Sequence, residues 1–186
     1  MPGDVATRRN ARSIARIWVL LMLFAGLLPG AHISAVGAPA VSAPLTLLNR
    51  KAPEIARKDL SGKKLNLRGF RGKVVLLNFW ATWCAPCQLE MPVFSKWQQQ
   101  YGPQGLQIVG ISMDDDAPPV RKLVAELKLG YPVAMGDALL GERWGGVLGL
   151  PLTYLIDRDG IVRAQFQGET DLDTIEKRLK LALVQR

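Results

Sequence analysis

The chain has 186 residues, 48% of them hydrophobic and 22% charged, and its formal net charge is +8. This length suits one domain with its own core rather than two, and the composition excludes a largely disordered chain. From Val74 onward there are eleven basic and thirteen acidic residues (−2), which excludes a basic nucleic-acid-binding domain.

The positive charge lies in two N-terminal blocks. Residues 1–35 carry four arginines against one aspartate (+3), and residues 50–73 carry nine basic against two acidic residues (+7). The second block is interpreted either as a solvated surface hairpin, which is favoured, or as a surface that attracts an anionic membrane or an acidic partner.

The first 35 residues have the order of an export segment. Basic residues end at Arg16, an apolar run occupies residues 17–28, and small residues interrupted by proline and glycine follow. This order is typical of a signal peptide. Because the run is shorter than the about 20 residues that a membrane span needs, a cleaved signal is favoured over an anchor at residues 17–28. Both alternatives predict a periplasmic or other extracytoplasmic domain, either soluble after cleavage or tethered to the inner membrane, where disulfides persist.

The predicted domain spans residues 50–186 and follows a flexible linker at 36–49 that is rich in Ala, Pro, Gly and Ser. Two short alternating segments around Ser61-Gly62 predict a β-hairpin. The continuous apolar run Val74–Ala81 is typical of a strand buried on both faces. A helix is predicted over Ala85–Tyr101, because apolar residues recur there at three- and four-residue spacing; its apolar stripe comprises Leu89, Val93, Phe94 and Trp97.

A second strand, further helices and a final hairpin complete the pattern. Asp114–Asp116 is interpreted as a helix cap rather than a metal site. The predicted elements are a strand at Leu106–Met113, a helix to about Leu129, a short strand within 131–137, a short helix or turn through Leu139–Trp144, paired strands at Pro151–Asp157 and 161–168, and a helix at Asp171–Val184. A helix joins the first two buried strands, so they are expected to be parallel, and the last hairpin antiparallel. The pattern predicts an α/β fold with one mixed central sheet flanked by helices.

The two cysteines, Cys84 and Cys87, lie in the segment FWATWCAPCQLEMP. A disulfide that closes so short a loop removes little entropy from the unfolded chain, so it is a poor structural staple. A zinc site needs four ligands, and the single histidine, His32, precedes the domain. Met91 offers a thioether to a copper site, although core packing is the favoured role. No metal site and no cofactor are predicted.

A redox function is the favoured interpretation of this pair. Cys84 is predicted at a helix N-terminus, where free N–H groups and the helix dipole stabilise a thiolate. Cys87 lies one turn further on the same face and is expected to be more deeply buried, as suits a resolving thiol. Pro86 fits the first helical turn, and Trp83 is expected on the surface as part of a docking face. C-x-x-C at a strand-to-helix junction indicates thiol–disulfide chemistry.

The segments VLLNFWATWCAPC and QLEMP resemble those of thioredoxin-fold proteins, and more narrowly the TlpA/ResA-like thiol–disulfide oxidoreductases of the redoxin family. The resemblance extends from about Pro53 to Val184. It implies a thioredoxin-like fold with an N-terminal β-hairpin and a central strand–helix insert. The segment YPVAMGDALLGERWG resembles part of that insert.

The resemblance also implies roles for individual residues. Cys84 and Cys87 correspond to the nucleophilic and resolving cysteines of a redox-active disulfide. Pro151 corresponds to a cis-proline that, with Leu150 before it, presents backbone to the substrate chain, and Pro92 to a proline that kinks the active-site helix. Together with Trp83 and Pro86, Leu150 and Pro151 are the predicted substrate-binding residues.

Glu90 corresponds to a carboxylate of the TlpA/ResA branch, and Asn78 stands where ordinary thioredoxins have a buried aspartate. Glu90 is one helical turn beyond Cys87. Partial burial would raise its pKa, so that it takes and returns the Cys87 proton. The alternative is an exposed glutamate without a role.

The favoured function is a reductase of disulfides or C-x-x-C pairs in exported proteins. The resemblance implies re-reduction by a membrane electron donor of the DsbD or CcdA kind, with apocytochrome c or copper-site assembly proteins as clients. The alternatives are a disulfide oxidant or isomerase, a thioredoxin-fold peroxidase, and a metallochaperone. The uncharged Ala85-Pro86 dipeptide favours a reductant. Against a peroxidase, Ala81-Thr82-Trp83 leads directly into the C-x-x-C motif rather than through a proline-rich loop.

Overall fold

The computed structural model describes residues 46–185. The predicted export segment (1–35) and most of the predicted linker (36–49) lie outside these residues. Within 46–185, no helix is long and apolar enough to cross a bilayer.

Seven strands and four α-helices form within the described residues. They are β1 (Ala56–Lys58), β2 (Lys64–Asn66), β3 (Val74–Trp80), α1 (Ala85–Tyr101), β4 (Leu106–Ser112), α2 (Ala117–Glu126), β5 (Val133–Met135), α3 (Ala138–Arg143), β6 (Leu152–Ile156), β7 (Val162–Gln167) and α4 (Leu172–Val184). Short 3-10 helices occupy Leu67–Phe70 and Gly102–Gln104.

The central sheet has the strand order β5-β4-β3-β6-β7. β3 lies parallel to β4 and antiparallel to β6, β4 is parallel to β5, and β6 and β7 form an antiparallel hairpin. All seven residues of β3 are buried, because the strand has a neighbour on each side and helices or loops on each face. The predicted mixed sheet, with parallel first strands and an antiparallel final hairpin, is confirmed.

Side chains alternate along β3 between two cores. Val74, Leu76 and Trp80 face one core, which α1, α2 and α4 cover. Val75, Leu77 and Phe79 face the other, which α3 and the β1–β2 hairpin cover. Burial of each large apolar side chain stabilises the fold by about 1.5–3 kcal/mol. The helices on both faces agree with the prediction.

The N-terminal hairpin pairs β1 with β2 in antiparallel register, and Arg57 lies opposite Leu65. Its turn is closed by the Asp59 carboxylate, which accepts hydrogen bonds from the backbone N–H groups of Ser61 and Lys63. Gly62 has a φ of 86°, a conformation that side-chain-bearing residues rarely adopt. The hairpin predicted around Ser61-Gly62 is therefore present.

Two sequence-based expectations about the helices are wrong in detail. Leu89, expected on the apolar stripe of α1, is 72% exposed; the following residue, Glu90, faces the core instead. The helix predicted to reach about Leu129 ends at Glu126. Lys128 has a φ of 50°, and the Leu129 N–H bonds back to the Val124 carbonyl, which closes the helix as a Schellman-type end.

Candidate active site

Cys84 occupies the junction between β3 and α1, the position predicted from the sequence. It is the N-cap residue of α1 and has an extended backbone, and Pro86 lies in the first turn. The Cys84 N–H donates to the Ala81 carbonyl at 3.1 Å, and the Cys84 carbonyl accepts from the Gln88 N–H at 3.2 Å. The sulfur is therefore held where the partial positive charge of the helix N-terminus stabilises a thiolate.

Cys84 and Cys87 form a disulfide, with their Cα atoms 5.3 Å apart. Cys84 is 5% exposed and Cys87 is fully buried. Cys87 lies behind Cys84 on the core side of α1, packed in the same apolar cluster as Met91 and Trp80. Cys87 is thus the more deeply buried of the two cysteines, as predicted from the sequence.

The predicted substrate-binding residues differ in their exposure. Trp83 is 71% exposed, Pro86 and Leu150 are half-buried, and Pro151 is buried. The Leu150–Pro151 peptide bond is cis, and the Pro151 carbonyl accepts from the Gly168 N–H at 2.8 Å. Pro151 comes directly before Leu152, which pairs with Phe79 near the end of β3. The β3–β6 pairing therefore holds this loop at the same end of the sheet as Cys84.

Glu90 is buried on α1, one turn beyond Cys87, with 5% of its surface exposed. Burial, with a smaller contribution from the Glu169 carboxylate, raises the pKa of Glu90 to about 7. Its Oε2 has no hydrogen-bond partner among the described residues. Glu90 is also the one buried carboxylate of residues 46–185.

The sequence did not identify two further buried polar side chains on this side of the sheet. Tyr131 and Trp80 are buried, and neither the Tyr131 hydroxyl nor the Trp80 indole N–H has a partner in the described part of the chain. Burial and the Glu90 charge raise the pKa of Tyr131 above its usual range, so its hydroxyl stays protonated. Gly110 leaves room for both rings, since a β-carbon there would lie 3.0 Å from Trp80 Nε1 and 3.2 Å from Tyr131 Cε2.

Asn78 lies on β3, on the same face as Trp80. Its side-chain amide donates to the Thr153 hydroxyl at 2.9 Å, and the two residues are opposite each other across the β3–β6 pair. An amide does not exchange a proton near neutral pH. On this face of the sheet, the buried carboxylate is therefore that of Glu90 on α1.

The loop between β3 and α1 is fixed by two side chains that reach Thr82. The Asp114 carboxylate accepts from the Thr82 N–H at 2.9 Å and from its hydroxyl at 2.5 Å. It also accepts from the Ser112 hydroxyl at 2.7 Å. The Gln88 side chain donates to the Thr82 carbonyl at 2.6 Å. Asp114 therefore does not cap a helix, and the cap interpretation of the acidic triplet is wrong for this residue. Asp116 does occupy the N-cap position of α2, but its side chain makes no capping hydrogen bond.

The sequence and the fold were compared with those of known proteins. The sequence model of the AhpC/TSA family matches residues 48–165. The chain belongs to the AhpC/TSA family. Among curated relatives, the thiol–disulfide oxidoreductase ResA of Bacillus thuringiensis subsp. konkukian is 37% identical over 133 residues, which cover 72% of this chain and 77% of that protein. ResA of Geobacillus thermodenitrificans is 32% identical over 175 residues, 93% of this chain and 97% of that protein.

Among solved structures, a thiol:disulfide interchange protein of the thioredoxin family from Chlorobium tepidum is similar with a TM-score of 0.67. It is 29% identical, and the match covers 72% of this chain and 95% of that one. This AhpC/TSA-family protein is a thiol–disulfide oxidoreductase of the ResA type with a thioredoxin-like fold. The family, the fold class and the enzyme class predicted from the sequence are confirmed.

Proposed function

We propose that the protein reduces disulfides of exported client proteins by cycling Cys84 and Cys87 between dithiol and disulfide. The observation that carries this proposal is the order of groups along α1. A thiol lies at the helix N-terminus, a fully buried thiol lies one turn on, and a buried carboxylate lies one turn further.

The reaction has two exchange steps. The Cys84 thiolate attacks one sulfur of the client disulfide, which forms a mixed disulfide and releases the other client sulfur as a thiolate. Cys87 then transfers its proton to Glu90 and attacks Cys84 Sγ, which releases the second client sulfur. Both electrons that reduce the client come from the pair, which ends as the Cys84–Cys87 disulfide.

Glu90 suits the role of proton acceptor in the second step. With a pKa raised to about 7, it is neither a strong acid nor permanently protonated near neutral pH, which is the condition for efficient general acid–base catalysis. Its burial one helical turn from the buried Cys87 keeps the proton away from bulk water. Glu90 returns the proton when an external donor reduces the disulfide.

The client docks against the surface around Cys84. Trp83 and Pro86 flank the sulfur on the α1 side, and Leu150 and Pro151 lie on the β6 side. The exposed indole of Trp83 offers apolar contact area, and the main chain at Leu150 offers hydrogen bonds to an extended client segment. Leu148, 80% exposed in the same loop, extends this apolar surface, although the sequence alone did not single it out.

The first 35 residues and the resemblance to ResA support the following proposal for the cellular setting. The protein works in the periplasm or an equivalent compartment, either released by signal cleavage or held by an anchor at residues 17–28. A membrane protein of the DsbD or CcdA kind re-reduces the disulfide. The clients are exported proteins with disulfides or C-x-x-C pairs, such as apocytochrome c before haem attachment or copper-site assembly proteins.

Equilibration of the Cys84–Cys87 pair with a thiol buffer of known potential tests the direction of the reaction. A reductant is expected near the thioredoxin value of about −270 mV, whereas a value towards about −120 mV would identify an oxidant and overturn the proposal. Cys87→Ser should trap clients as mixed disulfides with Cys84, and Cys84→Ser, the matched control, should trap none. Thiol-dependent consumption of hydrogen peroxide in place of disulfide reduction would identify a peroxidase instead.

A further inference from the structure

Several cations of the basic block at 50–73 line two clefts beside the central sheet. Lys51 and Arg71 line a cleft beside Val75, Ile156 and Gly160. Lys63 and Lys64 line a second cleft beside Gln107, and Phe70 lines both clefts. Lys73 directly precedes β3. We refer to Lys51, Lys63, Lys64, Arg71 and Lys73 as the basic pole.

Lys51, Arg71 and Lys73 lie at the opposite end of the central sheet from the disulfide, whereas Lys63 and Lys64 lie beside the β5 edge and line the cleft that contains Gln107. Val75 and Gln107 are the second residues of β3 and β4, and Ile156 is the last residue of the antiparallel β6. Cys84 follows the other end of β3. The length of β3 therefore separates Lys51, Arg71 and Lys73 from the reactive sulfur.

The five cations of the basic pole are exposed, and within residues 46–185 none of them forms an ion pair. The acidic side chains at this end are partly neutralised. Arg68 pairs with Glu54 and Arg163 pairs with Asp157, whereas the Asp59 carboxylate stays ionised in its turn, where it lies close to Lys63. Asp159 is exposed between them. An excess of uncompensated positive charge therefore faces the solvent.

The chain enters the fold at this same end. The Asn49 N–H bonds to the Val162 carbonyl and the Ala52 N–H to the Gly160 carbonyl, both at 2.9 Å, beside the turn between β6 and β7. In the sequence, the apolar run at residues 17–28 ends twenty-one residues before Asn49. Even fully extended, that stretch spans at most about 75 Å. We apply the present inference to the alternative in which a bilayer holds this run.

We propose that the basic pole binds the anionic lipid headgroups of the membrane surface and leaves Cys84 facing away from the bilayer. Four of its five cations are lysines. A lysine ammonium group is a point charge on a flexible side chain and does not bind a carboxylate through two fixed hydrogen bonds, as an arginine does. Flexible lysine side chains suit mobile lipid headgroups better than the fixed carboxylates of an acidic protein surface. The proposal concerns orientation and does not depend on the direction of the thiol chemistry.

Amine labelling of the full chain in vesicles tests the proposal. The chain is reconstituted into phosphatidylcholine vesicles with and without about one third phosphatidylglycerol, and a water-soluble acylating reagent is followed by mass spectrometry. We expect the anionic lipid to slow labelling of Lys51, Lys63, Lys64 and Lys73 roughly fivefold or more, and high salt to remove the effect. Lys122 and Lys177 on the outer faces of α2 and α4 should label equally in both vesicles.

Matched charge-reversal variants distinguish an effect of the basic pole from an effect of the protein's net charge. Lys63→Glu with Lys64→Glu should abolish the protection of Lys51 and Lys73, whereas Lys122→Glu with Lys177→Glu should preserve it. Both variants should retain disulfide-reductase activity, which shows that they fold. Equal labelling in the two kinds of vesicle, or equal protection of Lys122 and Lys177, would overturn the proposal. Protection by soluble polyglutamate without any effect of anionic lipid would also overturn it and would assign the surface to an acidic protein.

Discussion

The Asp114 carboxylate holds Thr82 by two hydrogen bonds, one from its backbone N–H and one from its hydroxyl group. Asp114 comes just after β4, and Thr82 comes two residues before Cys84. These two hydrogen bonds thus connect the loop that carries Trp83 and Cys84 to the end of β4. Gln88 fixes the same residue from the α1 side.

Asp114→Ala is expected to impair the reduction of protein disulfides more than that of small ones. The substitution frees two donors of Thr82, and hydrogen bonds to a charged group contribute about 1.5–3 kcal/mol each. A protein client needs Trp83 and Cys84 fixed together, whereas a small disulfide needs only the sulfur. We expect kcat/KM to fall about tenfold with insulin, which corresponds to about 1.4 kcal/mol, and by less with a small aromatic disulfide. Asp114→Asn should recover part of the loss, and equal losses with both substrates would contradict a positioning role.

Glu90→Gln is expected to slow the release of client from the mixed disulfide. In the wild-type protein this step should accelerate as the pH rises through about 7, because Glu90 then loses its proton and can accept that of Cys87. The variant should lose this pH dependence and be slower by roughly tenfold to a hundredfold at neutral pH. Stopped-flow measurement of client release from pH 5 to 9 checks this. A variant with the wild-type pH midpoint would show that another group takes the proton.

The same residue predicts how the stability of the oxidised protein changes with pH. Folding raises the pKa of Glu90 from 4.5 to about 7, so the folded state binds its proton more tightly than the unfolded state. Its contribution to stability is therefore complete below about 4.5 and is lost as the pH rises to about 7, on the order of 3 kcal/mol. Urea denaturation at pH 5 and 8 should show this decline in the wild type and a smaller one in Glu90→Gln. Identical declines in the two proteins would mean that Glu90 is ionised in the fold.

The buried bond between Asn78 and Thr153 should appear as a coupling energy. Asn78→Leu leaves the Thr153 hydroxyl without its donor, and Thr153→Val leaves the Asn78 amide without its acceptor. Each single change should lower the free energy of unfolding by about 1–3 kcal/mol. The double variant should lose about 1 kcal/mol less than the sum of the single losses. Strict additivity in urea denaturation would indicate that the bond contributes nothing to stability.

The sequence was informative where a structural signal is local. The continuous apolar run of β3 and the change of period after Cys84 gave α1 its bounds, Ala85–Tyr101, because both signals depend on neighbouring residues. The cysteine position at the helix start followed from the same boundary. The exposure of Leu89 could not be predicted in this way. Leu89 and Glu90 are adjacent on α1, and the packing of the helix against the sheet determines which of the two side chains is buried.

The contacts that complete the site join distant parts of the chain. Thr82 and Asp114 are 32 residues apart, and the acidic triplet by itself suggested only a helix cap. The burial of Tyr131 beside Trp80 depends on the register of β3 with β4, which places Gly110 opposite Asn78. Neither relationship leaves a spacing signal in one sequence, so the structure was needed to find them.

The seven residues of β3 connect the two ends of the molecule, with Lys73 before the strand and the loop to Cys84 after it. At about 3.3 Å per residue the strand is about 20 Å long. On a bilayer surface, a protein seated on its basic end would carry its reactive sulfur at roughly that height above the headgroups. Any partner that exchanges electrons with Cys84 there would have to place its own thiols at the same height, so the length of β3 sets the distance between the lipid surface and the reactive sulfur.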